Sequence, residues 1–465
     1  MRFFSLSSKE EKQIFFSALA VKCLFIVLVL STIGFTAPLS SVQSDGYLPL
    51  AQSIFERGAY SYSTEEPYVP EALHVPGYPV FLAIFAVPFD SINLVFVIQA
   101  LLLSLSAVFL YRLLEGLLPQ RARFWGVVVY AVEPFTSFLA AQALTEALFM
   151  FLFVGGLLLV RRAYESQSAY LWLASGLIFG TSLLVRPIIM YLIPVAVVVL
   201  ACVAVFKRSK TLAAAVCLFV LSCALLPGMW VARNYVEFGV ATLSTKGPYT
   251  LYFYNVEQLL EYRDGIGSRD AAQQLFAMAK VDHPELRDRE DLRNPIYAEY
   301  LNKKSFEIIA QTPLLYVKMH LFSIVTFFLS DGYRLLAQEI WHNQKDLPNI
   351  TKAIVTGNIS LIVDYFRSNP LSAFLFFFGS AFWGLSALFA AISLRGVMSG
   401  GELRATRLAI LGALCYVIYF ALLTGPVAQA RYRIVITPFL FPLAAYTLFV
   451  WAIPLLGKMR TRYAR

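Results

Sequence analysis

IFFSALAVKCLFIVLVLSTIGFTA, residues 14–37, is a run of 24 residues with one charge, Lys22, and SDGYLPLAQSIFERG, residues 44–58, follows close behind it. About 20 apolar residues carry a helix across the hydrocarbon of a bilayer, so the first stretch reads as a span and the second as what lies just outside it. Runs of the same kind recur at 91–114, 124–141, 144–160, 169–185, 187–206, 211–230, 313–330, 371–394, 407–424 and 433–456. The whole chain agrees: 465 residues are 58% hydrophobic and 14% charged, with a mean hydropathy of +0.66. That excludes a soluble enzyme, a disordered chain and a disulfide scaffold. The five cysteines, Cys23, Cys202, Cys217, Cys223 and Cys415, all lie inside apolar runs and read as small core hydrophobes.

Orientation follows from the basic residues, which favour cytoplasmic loops. Segments 1–12, 112–123, 161–168, 207–210, 395–407 and 458–465 hold 18 Lys and Arg against 5 Asp and Glu, whereas 38–79 holds Arg57 against five acids. The first set is expected in the cytoplasm with both termini, and 38–79 outside. The net charge of +9 is then a signature of topology, and nucleic acid is not expected as a partner. Residues 77–89 are assigned to a short interfacial helix. Residues 313–330 either cross, with a weak return near 349–366, or lie at the outer surface, giving ten or twelve spans. The first apolar run, preceded by Lys9 and Lys12, reads as a retained signal anchor.

The polar chemistry gathers on the outer side, in 38–79, 231–312, 331–370 and 425–432. Tyr47, Leu50, Ala51, Ile54 and Phe55 recur at helical spacing, which predicts an interfacial helix starting at Asp45 and stopped by Gly58. The stretch 257–293, with nine acids and six bases, reads as a solvated helical excursion. Asp45 has two readings: an N-cap for the interfacial helix, or a carboxylate facing both membrane-borne and aqueous substrates. Glu146 in LTEALF and Glu133 before Pro134 are either helix-dipole partners or functional acids at span boundaries. Arg186, Arg233, Lys246, Arg431 and Arg433 all fall on the outer face. Together they break the positive-inside rule, and guanidinium suits phosphate oxygens. His74 stands alone without metal-ligand spacing. Tyr78 and Tyr249 are either interfacial anchors or sugar platforms.

In order along the chain, DGYLPLAQSIFERG, PGYP at 76–79, LTEALF, LLVRP, WVARNYVEFG and RYRIVITPFLFPLAAY resemble the GT-C superfamily of membrane glycosyltransferases. The likeness is to the family-39-like branch, which holds protein O-mannosyltransferases and the lipid A aminoarabinose transferase. The resemblance implies an all-α polytopic membrane protein with interfacial helices in the first outer loop. It divides the chain into a seven-span core at 1–230, an outer helical loop at 231–312 and a variable membrane region at 313–465.

It also implies a polyprenyl-phosphate sugar donor, inversion at the anomeric carbon and Asp45 as the base that deprotonates the acceptor. Glu146 and Glu133 would position the acceptor or a cation. Arg186, Arg233, Arg431, Arg433, Lys246 and Arg57 would hold the donor phosphate, and His74, Tyr78, Tyr249 and Asn234 would line the sugar pocket. The first loop departs from branches that carry a Lys or a paired acid there. No cofactor follows from the motifs; metal dependence varies in the superfamily, which leaves a divalent cation open, and no ligand set stands out.

The expectation is therefore a glycosyltransferase acting at the outer face of a bacterial inner membrane on a lipid, glycan or protein acceptor. The alternatives are a polyprenyl-lipid or glycolipid transporter or flippase, and a binding or assembly protein without catalysis. Charges near span ends and heavy outer loops favour the transferase, because transporters place such groups near the midplane.

Overall fold

The computed structural model describes residues 5–330, 332–341, 357–398, 402–427 and 430–454. Within them the chain is all-α, and its β pairing is an isolated bridge between Ser61 and Pro70. Eight helices are long and apolar enough to cross a membrane, or ten if two bent pairs each count as one span. The uncertain return near 349–366 falls partly outside the described residues; its visible end is a nine-residue helix, Ser360–Ser368.

The first helix, α1 (Lys9–Ile33), starts where Ser8 Oγ accepts from the Glu11 amide at 3.1 Å, and α2 (Tyr47–Arg57) and α3 (Gly77–Phe85) belong to the first loop. The chain then forms α4 (Asn93–Leu113), α5 (Gln120–Val132), α6 (Pro134–Phe138) and α7 (Glu146–Ser166). Next come α8 (Ala169–Val185), α9 (Leu192–Phe206) and α10 (Lys210–Phe238). As the sequence predicts, residues 77–89 form a short helical segment, set apart from α4 by a turn through Asp90 in the left-handed region.

α8 packs along α7 and most extensively against α10. Its closeness to α10 depends on glycines four apart: a Cβ on Gly180 would lie 2.5 Å from the Cys223 carbonyl oxygen, and one on Gly176 would lie as close to that of Phe219. Lipid gives helices no hydrophobic reason to associate, so small residues that admit close backbone contact carry such interfaces.

Lys22 is the exception to the expected placing of charges near span ends. It lies midway along α1, is buried, and donates to the Ala131 carbonyl at 2.7 Å. The cause is the break at Pro134. The Phe135 and Thr136 amides turn to the Glu133 carboxylate, which caps α6, so the Ala131 carbonyl loses its helical partner and Lys22 supplies one. Of the cysteines only Cys223 is buried; the other four lie on outward faces of the helices, so they are surface apolar residues and not core ones.

The 231–312 excursion has a small core of its own. Tyr252, Phe253, Leu259, Leu275 and Leu301 pack together there, joined by Leu73 from the first loop and Met319 from the following helix. This core ties the excursion to the first loop and to the helix that follows it.

Candidate active site

Four segments far apart in sequence supply one cluster. Gly46, with φ of 84°, turns the chain into α2, and a Cβ there would fall 2.7 Å from the Tyr62 hydroxyl. The amide of Leu48 bonds Ser44 Oγ at 3.0 Å, and no side chain caps α2 from its N-cap residue. Ser44 thus takes the role that the cap reading gave to Asp45, and the helix begins at Tyr47 instead of Asp45. Asp45 itself sits in the left-handed region with φ of 50°, a conformation that Asp tolerates better than most residues. On the predicted apolar face of α2, Tyr47, Leu50 and Ala51 are buried but Phe55 is exposed, and Leu48, which is not assigned to that face, is buried as well.

Glu146 opens α7, and Arg186 follows α8 in extended conformation just before Pro187. Arg431 lies in the short turn of helix Ala430–Arg433 that leads into the last long helix. Arg431 Nη1 meets Asp45 Oδ2 at 2.5 Å, while its Nε meets Glu146 Oε1 at 2.5 Å and its Nη2 meets Oε2 at 3.4 Å. Arg186 Nη1 approaches Glu146 Oε1 to 2.8 Å from the other side. Accessibility grades outward along this chain of charges: the Glu146 side chain is 1% exposed, Arg186 11%, Arg431 25% and Asp45 50%. A buried carboxylate is costly unless paired, and two guanidiniums pair this one.

Lys246 completes the group. Its Nζ lies 6.0 Å from the centre of the Tyr47 ring. The side chain is exposed, yet nearby protein reduces the solvation of its ammonium. That crowding pulls its pKa down to about 8, against the favourable charge of Asp45. Two carboxylates against Arg186, Arg431 and Lys246 leave one positive charge over, and it is the titratable one.

Aromatic side chains wall the cluster. The Tyr47 ring meets His74 edge-on at 4.9 Å and Tyr78 at 5.3 Å, and Tyr62 Oη lies 3.1 Å from His74 Nδ1. Burial, helped by Lys246 and Arg293, depresses the His74 pKa to about 3, so the ring is neutral at physiological pH. Burial, followed by Glu146, pushes the Tyr47 phenol up to about 12. Tyr78 is wholly buried and donates to Gln99 Oε1 at 2.8 Å, and Gln99 in turn donates to the Ala140 and Gln142 carbonyls. This braces the first loop against the turn that precedes Glu146. It also leaves Tyr78 no open face for a sugar.

Other candidates are placed away from the cluster. Arg233 donates to the Glu71 carbonyl and to Asn234 Oδ1, both at 2.9 Å, and Asn234 donates to the Thr242 carbonyl. Arg433 is fully buried, lies 3.7 Å from the Trp383 ring centre and donates to the Phe327 and Phe328 carbonyls. Glu133 caps α6, Arg57 pairs with neighbouring Glu56 at 3.7 Å, and Tyr249 accepts from Arg289 Nε at 2.9 Å. These contacts are packing and capping. Among the described residues, no three His, Cys, Asp or Glu side chains are grouped as metal ligands are.

Tyr47 and Tyr62 were not among the site residues read from the sequence. Tyr47 was legible only as part of an apolar helix face, although its position two residues after Asp45 put it within reach.

Residues 74–230 match the family model described as dolichyl-phosphate-mannose-protein mannosyltransferase. The matched third of the chain carries His74, Tyr78, Glu133, Glu146 and Arg186, and there the resemblance read from the motifs is borne out. No curated protein matches the sequence. Among solved structures, the chain is similar to the archaeal oligosaccharyltransferase AglB from Archaeoglobus fulgidus, in complex with an inhibitory peptide and a dolichol-phosphate. Identity is 16%, the TM-score is 0.48, and the match covers 96% of this chain and 52% of that one. The chain thus spans about half the length of that protein.

Proposed function

We propose that the chain is a GT-C type glycosyltransferase that moves a sugar from a polyprenyl-phosphate donor to a lipid, glycan or protein acceptor, with inversion. One observation carries the reading: Asp45, Arg431, Glu146 and Arg186 form a continuous chain of ion pairs that runs from an enclosed carboxylate to a half-exposed one, with Lys246 alongside.

Asp45 is the accessible carboxylate of the set. It takes the proton of the acceptor hydroxyl or amine as that group attacks the anomeric carbon. The bond from that carbon to the phosphate oxygen breaks, its electron pair leaves with polyprenyl phosphate, and the configuration inverts. The departing phosphate gains negative charge, which Lys246 and Arg186 are placed to stabilise. Glu146 is too enclosed to act as a base. It fixes the two guanidiniums, and through Arg431 it fixes Asp45.

The working side is the outer one, and the plasma membrane of a bacterium is the setting. In support, Glu146 and Arg186 sit at the ends of α7 and α8 opposite the basic loops 161–168 and 207–210. The dolichyl-phosphate family match supports the donor class. The test is transfer by purified protein from a polyprenyl-phosphate-linked mannose into membrane acceptors, wild type against Asp45→Asn. Turnover in the wild type that is lost in the variant supports the reading, and equal turnover in both removes it.

A further inference from the structure

At the end of the molecule away from the cluster, a cavity of about 980 Å3 opens between α7, α8 and α9 on one side and the helix Arg404–Leu423 on the other. Apolar side chains, leucine and phenylalanine foremost, line most of it, but one mouth is basic, with Arg161, Lys207 and Arg404.

These cations are pre-set. Arg161 is fixed by the Leu113 carbonyl at 2.5 Å and by Glu165 at 2.7 Å, and Lys207 Nζ donates to the Tyr164 hydroxyl at 2.5 Å. Arg404 is the first residue of its helix, which begins without a side-chain cap, so unpaired amides add to the positive potential there. Glu165 is the acid facing them, and it is already paired with Arg161.

Two contacts bridge the opposite end of the groove. Tyr419 donates to the Ile188 carbonyl at 2.7 Å, and the Tyr416 ring stacks on Phe153 at 5.3 Å. Ile188 belongs to the turn directly after Arg186, so these contacts stand between the groove and the ion-pair cluster. α9, which forms one wall, is 15 residues long, about 22 Å at 1.5 Å per residue. That is long enough for acyl chains entering from one leaflet.

We propose that the groove is a binding site for one anionic phospholipid. Its phosphate lies on Arg161, Lys207 and Arg404, and its chains fill the gap between α7–α9 and the helix Arg404–Leu423. Charge complementarity at the mouth, with the far end bridged by Tyr416 and Tyr419, selects a lipid from the leaflet facing the basic loops over a carrier entering from the side of the ion-pair cluster. The site stands independently of the transferase reading, because its test reads retained mass and not turnover.

The test is native mass spectrometry of the full chain in mild detergent, titrated with phosphatidylglycerol and with phosphatidylcholine of the same chains. The expected result is one phosphatidylglycerol retained, with phosphatidylcholine much weaker. Binding falls about thirtyfold in the Lys207→Gln/Arg404→Gln variant, the effect of removing two interfacial cations. A second variant leaves the charges in place: Gly412 lines the groove, and a Cβ there meets nothing within 4 Å, so Gly412→Trp fills the space and also abolishes retention. Equal retention of both lipids, unchanged retention in the variants, or displacement of phosphatidylglycerol by a long-chain polyprenyl phosphate would each overturn the assignment.

Discussion

Arg431 and Glu146 stand 285 positions apart and meet at 2.5 Å, with the carboxylate almost wholly enclosed. The second carboxylate on the same guanidinium, Asp45, remains half exposed. One arginine therefore joins a buried anchor to the accessible acid proposed as the base, and the two acids are expected to respond differently to mutation.

Asp45→Asn is expected to lower transfer by about 10²–10⁴-fold, the range for losing a general base, with thermal stability close to wild type because Asp45 caps no helix. Ser44→Ala shows the converse. It removes the hydroxyl that accepts from the Leu48 amide, costs about 1 kcal/mol and leaves the chemistry in place. Rate and melting temperature measured on both variants check the pair; a large stability loss in Asp45→Asn would return that residue to a capping role.

Glu146→Ala leaves Arg186 and Arg431 without their shared anion. Breaking a buried pair from one side costs about 3–5 kcal/mol, so the variant is expected to unfold at much lower denaturant. Replacing Arg186 together with Glu146, as Glu146→Gln/Arg186→Gln, recovers part of that loss. Strictly additive losses would show that the two residues do not act as a pair.

Lys246 gives a pH signature. With its pKa near 8, the ammonium is charged at neutral pH and is lost as pH rises through that value. Donor kcat/KM is expected to fall about tenfold per unit above pH 8, and Lys246→Met is expected to be low and flat across the same range. His74, neutral above about pH 3, adds nothing to this limb. A wild-type profile that is flat from pH 7 to 10 would take Lys246 out of donor binding.

Arg186 and Arg433 looked equivalent in the sequence, and the structure separates them. Arg186→Ala is expected to raise the donor KM with the acceptor KM little changed. Arg433→Ala removes the guanidinium that lies on Trp383 and bonds two carbonyls, and is expected to lower stability. Steady-state kinetics beside thermal melts distinguish the two effects.

Glu65→Cys in the first loop is expected to react with an impermeant maleimide added outside intact cells, and Ser166→Cys only after the cells are opened. The reverse pattern would move the cluster to the other membrane face.

Hydropathy and charge bias made the spans, the heavy first loop and the 231–312 excursion legible, because burial in lipid imposes a long-run constraint on composition. The motif order brought out Asp45, Glu146, Arg186 and Arg431. Which of the five cations expected on the outer face would meet an acid was not legible. Arg431 and Arg433 are two residues apart, yet one turns to Asp45 and the other to Trp383, a choice set by helices far away in sequence. Lys22 shows the same limit: its partner carbonyl is orphaned by a proline more than a hundred residues downstream.

The helix that follows Arg431 is set by close contact. A Cβ on Gly126 of α5 would sit 2.5 Å from the Pro442 Cα, so the final long helix lies flush against one made much earlier. Asp45 emerges from the ribosome 386 residues ahead of its arginine partner. A nascent or truncated polypeptide that stops before Ala430 has the acid and the buried anchor without the guanidinium that joins them. The proposed reaction centre is thus withheld until the helices between Asp45 and Ala430 have been made.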